Sequence, residues 1–552
     1  MNEVELRERL AYHRSAVPGR LLWRPENADL LEQEFLNCTR VPTQSFVSEF
    51  LAGEIRLKGF DSVEIGTMPT WTEDPFEDRN WQWRWHQWEF IIWLVRVDEA
   101  NRRNVRNQLL DWTRKWWVDN RDGPSSDLSW HDHSTAFRLR NLILFRHWLE
   151  MDSVIHYDLA WMDEAIFVHA RLLAEEEFYS KRTNHGFDQM HVLLFAGLVL
   201  YVEDSEVDWC RHGTERLEDE IGFGFSTEGV HVENSPGYHL LMINRILQIR
   251  PLLERGGVEG VEARTMMLLE GAFEHLCWVI QPNGLLPRIG DTGDIQVDIE
   301  AIRLRIWGIN RIEESPQGER LLSESGWGIV RRKLTSNPLE DFHLILKCGF
   351  LSSYHRHDDD CHLSLFAYGS EWLVDSGLFN HQEEDQHRIH VRSARAHNIP
   401  FIHDTKVSRR LSDGEMTSLV TEGEEWVASS QMFEGCQIER RFQFLSPDGF
   451  RVHDTAKRAD GKPVGDLEVR WHLHPNLKVE RDELGVRAER EDGRVMFIRT
   501  ASTDVDINIS AGEQDGRIES WISSAYSTGE DATVVRISPQ NESALTVEIG
   551  WE

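Results

Sequence analysis

The sequence predicts an α+β chain of two domains: a helical N-terminal part and a strand-rich, largely antiparallel C-terminal part. Three observations carry this. The length, 552 residues, exceeds what one hydrophobic core usually supports. The composition is globular, 40% hydrophobic and 28% charged, with no low-complexity tract. The hydrophobic period is helical at first and changes to two near "NRIEESPQGERLLSESGWG".

The elements follow in order. In "WHQWEFIIWLVRVDE", Trp88, Ile91, Ile92 and Val95 repeat at i, i+3, i+4 and i+7, one buried helix face. "NLILFRHWLEM", "DEAIFVHARLLAEEEF", "FDQMHVLLFAGLVLYVED", "YHLLMINRILQIRPLLERGG" and "ARTMMLLEGAFEHLCWVIQ" behave similarly. Gly, Asn, Asp or Pro separates most of these runs. Many amphipathic helices without a fixed repeat predict a helical toroid or an irregular bundle. Past the switch, near Ser315–Gly318, "FHLILKC" alternates, and "LTVEIGW" puts Leu545, Val547, Ile549 and Trp551 on one side. "RRFQFLSPDGFRVHD" reads as a hairpin around Pro447, Asp448 and Gly449.

Charge excludes some partners. Sixty Lys and Arg stand against 94 Asp and Glu, which argues against nucleic acid or an anionic membrane surface as a partner of the whole molecule. A polyanionic substrate requires a locally basic site, which screening beyond ~8–10 Å permits. The N-terminal stretch lacks a basic region followed by an apolar one, and no apolar run spans a bilayer. Six cysteines without CxxC spacing read as free thiols, so the expected location is cytoplasmic.

Several clusters carry candidate chemistry. In "RTNHGFDQMH", Asn184 and His185 stand where a loop enters a helix, with His185, Asp188 and Gln189 on one helical face. The competing reading makes Asn184 a simple N-cap. In "STEGVHVENSPGYHLL", Tyr238 and His239 open a helix after His231 and Glu233. A tyrosine can move protons if cationic neighbours depress its pKa from ~10; otherwise it packs under a helix cap. In "SSYHRHDDDCHLSLFAYGSEWLVDSG", His355 and His357 are two apart, on one face of an extended chain, and Asp375 closes a later strand. With His397 of "RSARAHN", two imidazoles and a carboxylate make a common zinc set; a polar loop with scattered histidines is the alternative. Asp358 and Asp360 read as ordinary loop residues.

Further candidates surround these. The tryptophans of "WTEDPFEDRNWQWRWHQW" either stack on sugar rings, with Arg84 or His86 meeting a carboxylate, or form the core of a helix pair. "SWHDHSTAFRLRNL" places His131, His133, Arg138 and Arg140 before and within a helix. Arg288 of "NGLLPRIGDTGD" either clamps an acidic sugar or pairs with Asp291 or Asp294.

In order along the chain, "WQWRWHQWEFIIWL", "WHDHSTAFRLRNL", "NHGFDQ", "EGVHVENSPGYH", "HRHDDDCHLSLFAYGSEWLVDSG" and "RSARAHN" resemble the heparinase II/III-like family of polysaccharide lyases. The resemblance runs from about Trp81 to Tyr526. It implies an N-terminal (α/α) toroid over residues 1–316 and a C-terminal antiparallel β-sandwich-like domain over 317–552, with the substrate cleft between them. It implies β-elimination on a uronate-containing polysaccharide or oligosaccharide. Asn184 would neutralise the uronate carboxylate, His185 and Tyr238 would be the acid and base, and His355 would assist. His133, Arg138, Glu233, His239 and Arg288 would line the substrate, and His357, Asp375 and His397 would hold one structural zinc ion, with no organic cofactor.

The chain departs from the family pattern at Phe379, His381 and His390, where tyrosines are common, at Ile399-Pro400 after the AHN motif, and at His362 in place of a small polar residue. These changes bear on substrate identity and leave the metal set intact. Other readings of the same residues are a uronosyl carbon-5 epimerase, a glycoside hydrolase using Glu233 and Asp188, and a non-catalytic glycan-binding relative. The sequence leaves the oligomeric state open.

Overall fold

A computed structural model describes the chain apart from residues 18–19, 152–157, 203–207, 258–259, 309–314, 409–415 and 541. The first residues of the period switch, Asn310 to Glu314, and Glu203 and Asp204 at the end of one expected helix, lie outside the described residues. Two compact units result: Met1–Phe223 with Gln248–Thr265, and Gly224–Leu247 with Met266–Glu552.

The first unit is helical. Helix Glu99–Asn120 starts at an Asp98 cap that accepts from the Asn101 amide, and buries Val105, Leu109, Trp112 and Trp116 along one stripe. Helix Asp132–Glu150 packs on helix Asn184–Val199. The expected single helix through Trp88 is broken. Trp88 takes a left-handed conformation (φ 62°) between helices Arg79–His86 and Glu89–Leu94. The break turns Trp88 inward, beside Trp71 and Trp116, and leaves Ile92 half-buried. Trp71, Trp81 and Trp85 are fully buried and stack at 4.6 Å (Trp71 on Trp85) and 5.6 Å (Trp81 on Trp85). These tryptophans are core. Among the described residues, no helix is long and apolar enough to cross a membrane.

Among the described residues, the second unit holds two antiparallel sheets. One contains, in spatial order, Arg517–Ala525, Val505–Gln514, Thr533–Pro539, Leu467–Leu473, Ser370–Leu373, His362–Ala367, Phe342–Lys347 and Trp327–Arg332 among its eleven strands. The other, of eight strands, includes the expected hairpin: Cys436–Phe444 pairs with Phe450–Arg458, closing at Phe444 opposite Phe450. Leu344, Leu363, Trp471 and Val535 of the first sheet share one core with Phe442, Val452, Met496 and Val547 of the second. Strand Phe342–Lys347 is buried at every position rather than alternately, because both its faces are covered. Strand Ala544–Trp551 does alternate, burying Leu545, Val547 and Ile549.

Candidate active site and metal centre

In the first unit, the "NHG" run begins helix Asn184–Val199. Thr183, not Asn184, is the cap: its hydroxyl accepts from the Gly186 amide at 3.1 Å. Asn184 is therefore the first helical residue, half-buried, with its side chain released from capping. The glycine is obligatory on packing grounds, since a Cβ at Gly186 would lie 2.3 Å from the Ser180 carbonyl oxygen. That close approach seats His185 against His133, ring on ring at 4.2 Å. Each imidazole has its own carboxylate. His185 Nδ1 donates to Asp132 Oδ2 at 3.2 Å, and His133 Nε2 lies 2.7 Å from Asp188 Oδ2. Burial works against a charge on Asp132, yet the neighbouring His131 and His185 imidazoles hold its carboxyl below the ordinary range. Gln189 points away, accepting from the Ser180 amide and donating to the Phe178 carbonyl.

In the second unit, Tyr238 lies in the first turn of helix Pro236–Gly256 and stacks on His355 at 3.6 Å, 20° from parallel. His355 Nδ1 donates to Asp291 Oδ2 at 2.7 Å, and its Nε2 lies 3.5 Å from Glu233 Oε2. His357 Nε2 donates to Asp291 Oδ1 at 2.9 Å. Arg388 completes the ring of donors with Nη2 at 2.9 Å from Oδ2 and Nη1 on Oδ1. Burial opposes the Asp291 charge, but His355, His357 and Arg388 hold its carboxyl well below the usual range. His355 and His357 thus converge on one carboxylate, though from a turn with His355 at φ 53° rather than from an extended strand. Gly290 permits this. Its φ is +57°, and a Cβ there would come within 2.9 Å of the Asn234 carbonyl and 3.1 Å of the His355 carbonyl.

Arg245 and Arg388 act to lower the Tyr238 pKa, but they are outweighed. Burial, then Asp291 and Glu233, push the phenol up, so it keeps its proton in the free protein.

Behind this site lie His357, Asp375 and His397, all fully buried, with one donor atom each within 4.8 Å of the others. His397 Nδ1 donates to Asp375 Oδ1 at 2.9 Å. His357 Nδ1, Asp375 Oδ2 and His397 Nε2 are buried and make no hydrogen bond, although Asp375 Oδ2 lies 3.4 Å from His362 Nε2. Two imidazole nitrogens and a carboxylate oxygen, unpartnered at one place, fit a zinc-type ion. Burial works against an imidazolium at His397, yet Asp375 raises its pKa above the ordinary value. Asn398 anchors the assembly: its amide donates to the Leu363 and Val374 carbonyls, and its oxygen accepts from the His472 amide.

Two family models match the chain: Heparinase II/III N-terminus over residues 48–306 and Heparinase II/III-like, C-terminal, over 315–552. The chain belongs to the heparinase II/III-like family. A heparin-sulfate lyase of Pedobacter heparinus is 21% identical over 502 residues, 84% of this chain and 72% of that protein. A heparinase III crystal structure aligns with TM-score 0.73 at 14% identity, covering 94% of this chain and 88% of that one. A heparan sulfate lyase structure from Pedobacter heparinus aligns with TM-score 0.64 at 18% identity, covering 98% and 87%. At such identities the likeness shows the fold, an (α/α) toroid followed by an antiparallel β-sandwich-like part.

Against this heparinase II/III-like frame, several expected ligand contacts are corrected. Arg138 is fully buried; its guanidinium donates to His169 Nε2 and the His86 carbonyl and lies 3.8 Å over Trp116. It holds the tryptophan core together and offers nothing to a sugar. His86 is sealed in as well: its Nδ1 accepts from Trp116 and its Nε2 pairs with Ser126, and burial pulls its pKa down to about 3. Arg84 pairs with Glu89 at 2.7 Å. His239 accepts from the His231 amide and donates to the Ala272 carbonyl, which uses both ring nitrogens. Arg288 is clasped by Glu371 at 2.6 Å and Asp294 at 2.7 Å, so the pairing alternative is realised in place of a sugar clamp. Asp358 and Asp360 are buried, not loop ornaments; Asp360 accepts from the Gly349 amide and the Ser430 hydroxyl. His133 and Glu233 stay beside His185 and His355.

The residues that sequence reasoning missed are Asp132, Asp291 and Arg388. Asp291 follows a glycine in a loop, as many surface aspartates do. Its role depends on partners 64 to 97 positions away, which no local pattern encodes.

Proposed function

We propose that the protein is a lyase that cleaves a uronate-containing acidic polysaccharide or oligosaccharide by β-elimination. The observation that carries this is the Tyr238–His355 stack, with His355 fixed by Asp291 beside Glu233. The heparin-sulfate and heparan sulfate lyase relatives support the substrate class.

Elimination needs the carbon-5 proton removed, the adjacent carboxylate neutralised and the leaving oxygen protonated. Asn184, with its amide free of capping, is assigned to the carboxylate. Asp132 accepts from His185 Nδ1, which leaves Nε2 with the lone pair and makes it the base. The base takes the carbon-5 proton, the electron pair forms the carbon-4–carbon-5 double bond, and the carbon-4–oxygen bond breaks. Tyr238 keeps its proton in the free protein and is assigned as the acid that donates to the departing oxygen. His355, held by Asp291, positions the tyrosine ring.

His357, Asp375 and His397 are the residues that would hold a zinc ion. When bound, it would cross-link the loops before and after two strands and so stabilise the second unit.

Incubation with a panel of uronate glycans should release products carrying the ultraviolet absorbance of an unsaturated uronate. Tyr238→Phe should lower turnover by about 10²–10⁴-fold while the melting temperature stays unchanged. A fully active Tyr238→Phe protein would remove the tyrosine from the mechanism. Deuterium entering carbon 5 from heavy water without chain cleavage would favour the epimerase instead.

A further inference from the structure

We propose a second metal site, outside the buried centre, formed by His131, Asp132 and His185 and selective for a divalent transition ion of the zinc and cobalt class. It depends on no part of the lyase reading.

The donors sit at the starts of two packed helices. His131 precedes helix Asp132–Glu150, Asp132 is its first residue, and His185 is the second residue of helix Asn184–Val199. Each residue offers one donor atom, and these lie within 4.8 Å of one another. His131 Nδ1 is 2.8 Å from Asp132 Oδ1, and His185 Nδ1 is 3.2 Å from Asp132 Oδ2. The two imidazoles approach opposite oxygens of the one carboxylate, and an ion with tetrahedral bonds of ~2.0–2.2 Å holds its donors about 3.4 Å apart, inside the 4.8 Å that bounds the three.

His185 Nδ1 hydrogen-bonds Asp132 Oδ2, but the other imidazole is left without such a bond. His131 Nδ1 is buried and makes no hydrogen bond, even at 2.8 Å from a carboxylate oxygen. The nitrogen is close to the carboxylate but not aimed along a hydrogen-bond direction, as two ligands of one ion are.

The support around the donors is already built. The Ser180 hydroxyl donates to Asp132 Oδ2. The His185 ring is clamped by His133, which lies against Asp188. Such outer partners fix ligand orientation and typically matter 10–100-fold (about that range) in affinity. The side chains are 16% to 35% exposed, which gives an ion a path in and leaves coordination positions for water. Two imidazoles and one carboxylate suit zinc or cobalt and not calcium or magnesium, which prefer oxygen cages.

The test uses the full chain, stripped with a chelator and titrated with cobalt(II), followed by visible absorption and calorimetry. Two classes of ion are expected. His131→Ala and, separately, Asp132→Asn should weaken one class about tenfold or more and leave the other unchanged; His397→Ala should do the reverse. Circular dichroism on each variant confirms folding. A wild type that binds one ion, retained in both His131→Ala and Asp132→Asn, overturns the proposal while the buried centre stands. A single ion lost in His131→Ala and kept in His397→Ala supports the proposal and removes the buried centre instead.

Discussion

Replacing Asp291 by Asn keeps the shape of a side chain that four donor atoms surround, but removes its charge. The donors are His355 Nδ1, His357 Nε2 and both terminal nitrogens of Arg388. Asparagine keeps one acceptor oxygen and turns an NH2 toward the remaining donors. Arg388 is 5% exposed and loses its counter-charge where little solvent can replace it. Breaking a buried pair this way costs about 3–5 kcal/mol. His355 also loses the contact that sets its tautomer, so its placement under Tyr238 loosens; a misplacement of about 1 Å can cost ~10²-fold in rate. Two measurements check this: the unfolding midpoint by tryptophan fluorescence, and turnover on an accepted glycan. The midpoint should fall, and kcat should fall more than KM rises. The pH dependence has a definite sign. The Asp291 pKa is depressed in the fold, so its stabilisation is present above the unfolded value of ~3.9 and is lost as pH drops through the lower folded value. Wild type and Asp291→Asn should therefore begin to converge in stability as pH drops below about 4, and meet only below the lower folded value. An Asp291→Asn protein with the wild-type midpoint and wild-type turnover would refute the reasoning.

Other predictions concern protons and metal. His86 and His239 are buried neutral, with pKa values pulled from 6.5 down to about 3 and about 4 by burial. The unfolded chain takes up these protons first, so stability should fall as pH drops from about 6.5 toward 4, read by melting at stepped pH. Purified protein should carry tightly bound metal by elemental analysis, and His397→Ala should lose it and melt lower, because ligand binding energy is also folding energy. Zinc beyond one equivalent should slow elimination, since an ion on His185 Nδ1 forces the ring proton onto Nε2; in His131→Ala the inhibition should shift to higher zinc concentration.

Much of the architecture is written in local pattern. The period of 3.6 from the first helices and the period of two in "LTVEIGW" follow from which face each residue buries, and the Pro447-Asp448-Gly449 turn from its own dihedral preferences. The motifs around Asn184, Tyr238, His357 and His397 stand out because they cluster rare residue types in ordered segments. Other features escape such reading. Trp88 breaks its helix in a left-handed turn that sets its ring against Trp116, a partner 28 positions away that no local pattern encodes.

By itself, then, the sequence determined the two-part α+β order and the segments that carry the histidine clusters, since both rest on spacing along the chain. Only the tertiary structure decided what each charge faces. Arg138 and Arg288 are the same residue type in comparable polar stretches, yet one is sealed among tryptophans and the other between two carboxylates. Asp291 became the hub of the second unit's site only when loops distant in sequence folded onto it. Desolvation and pairing are properties of the folded surroundings, and they separate a side chain that holds the core from one that can meet a substrate.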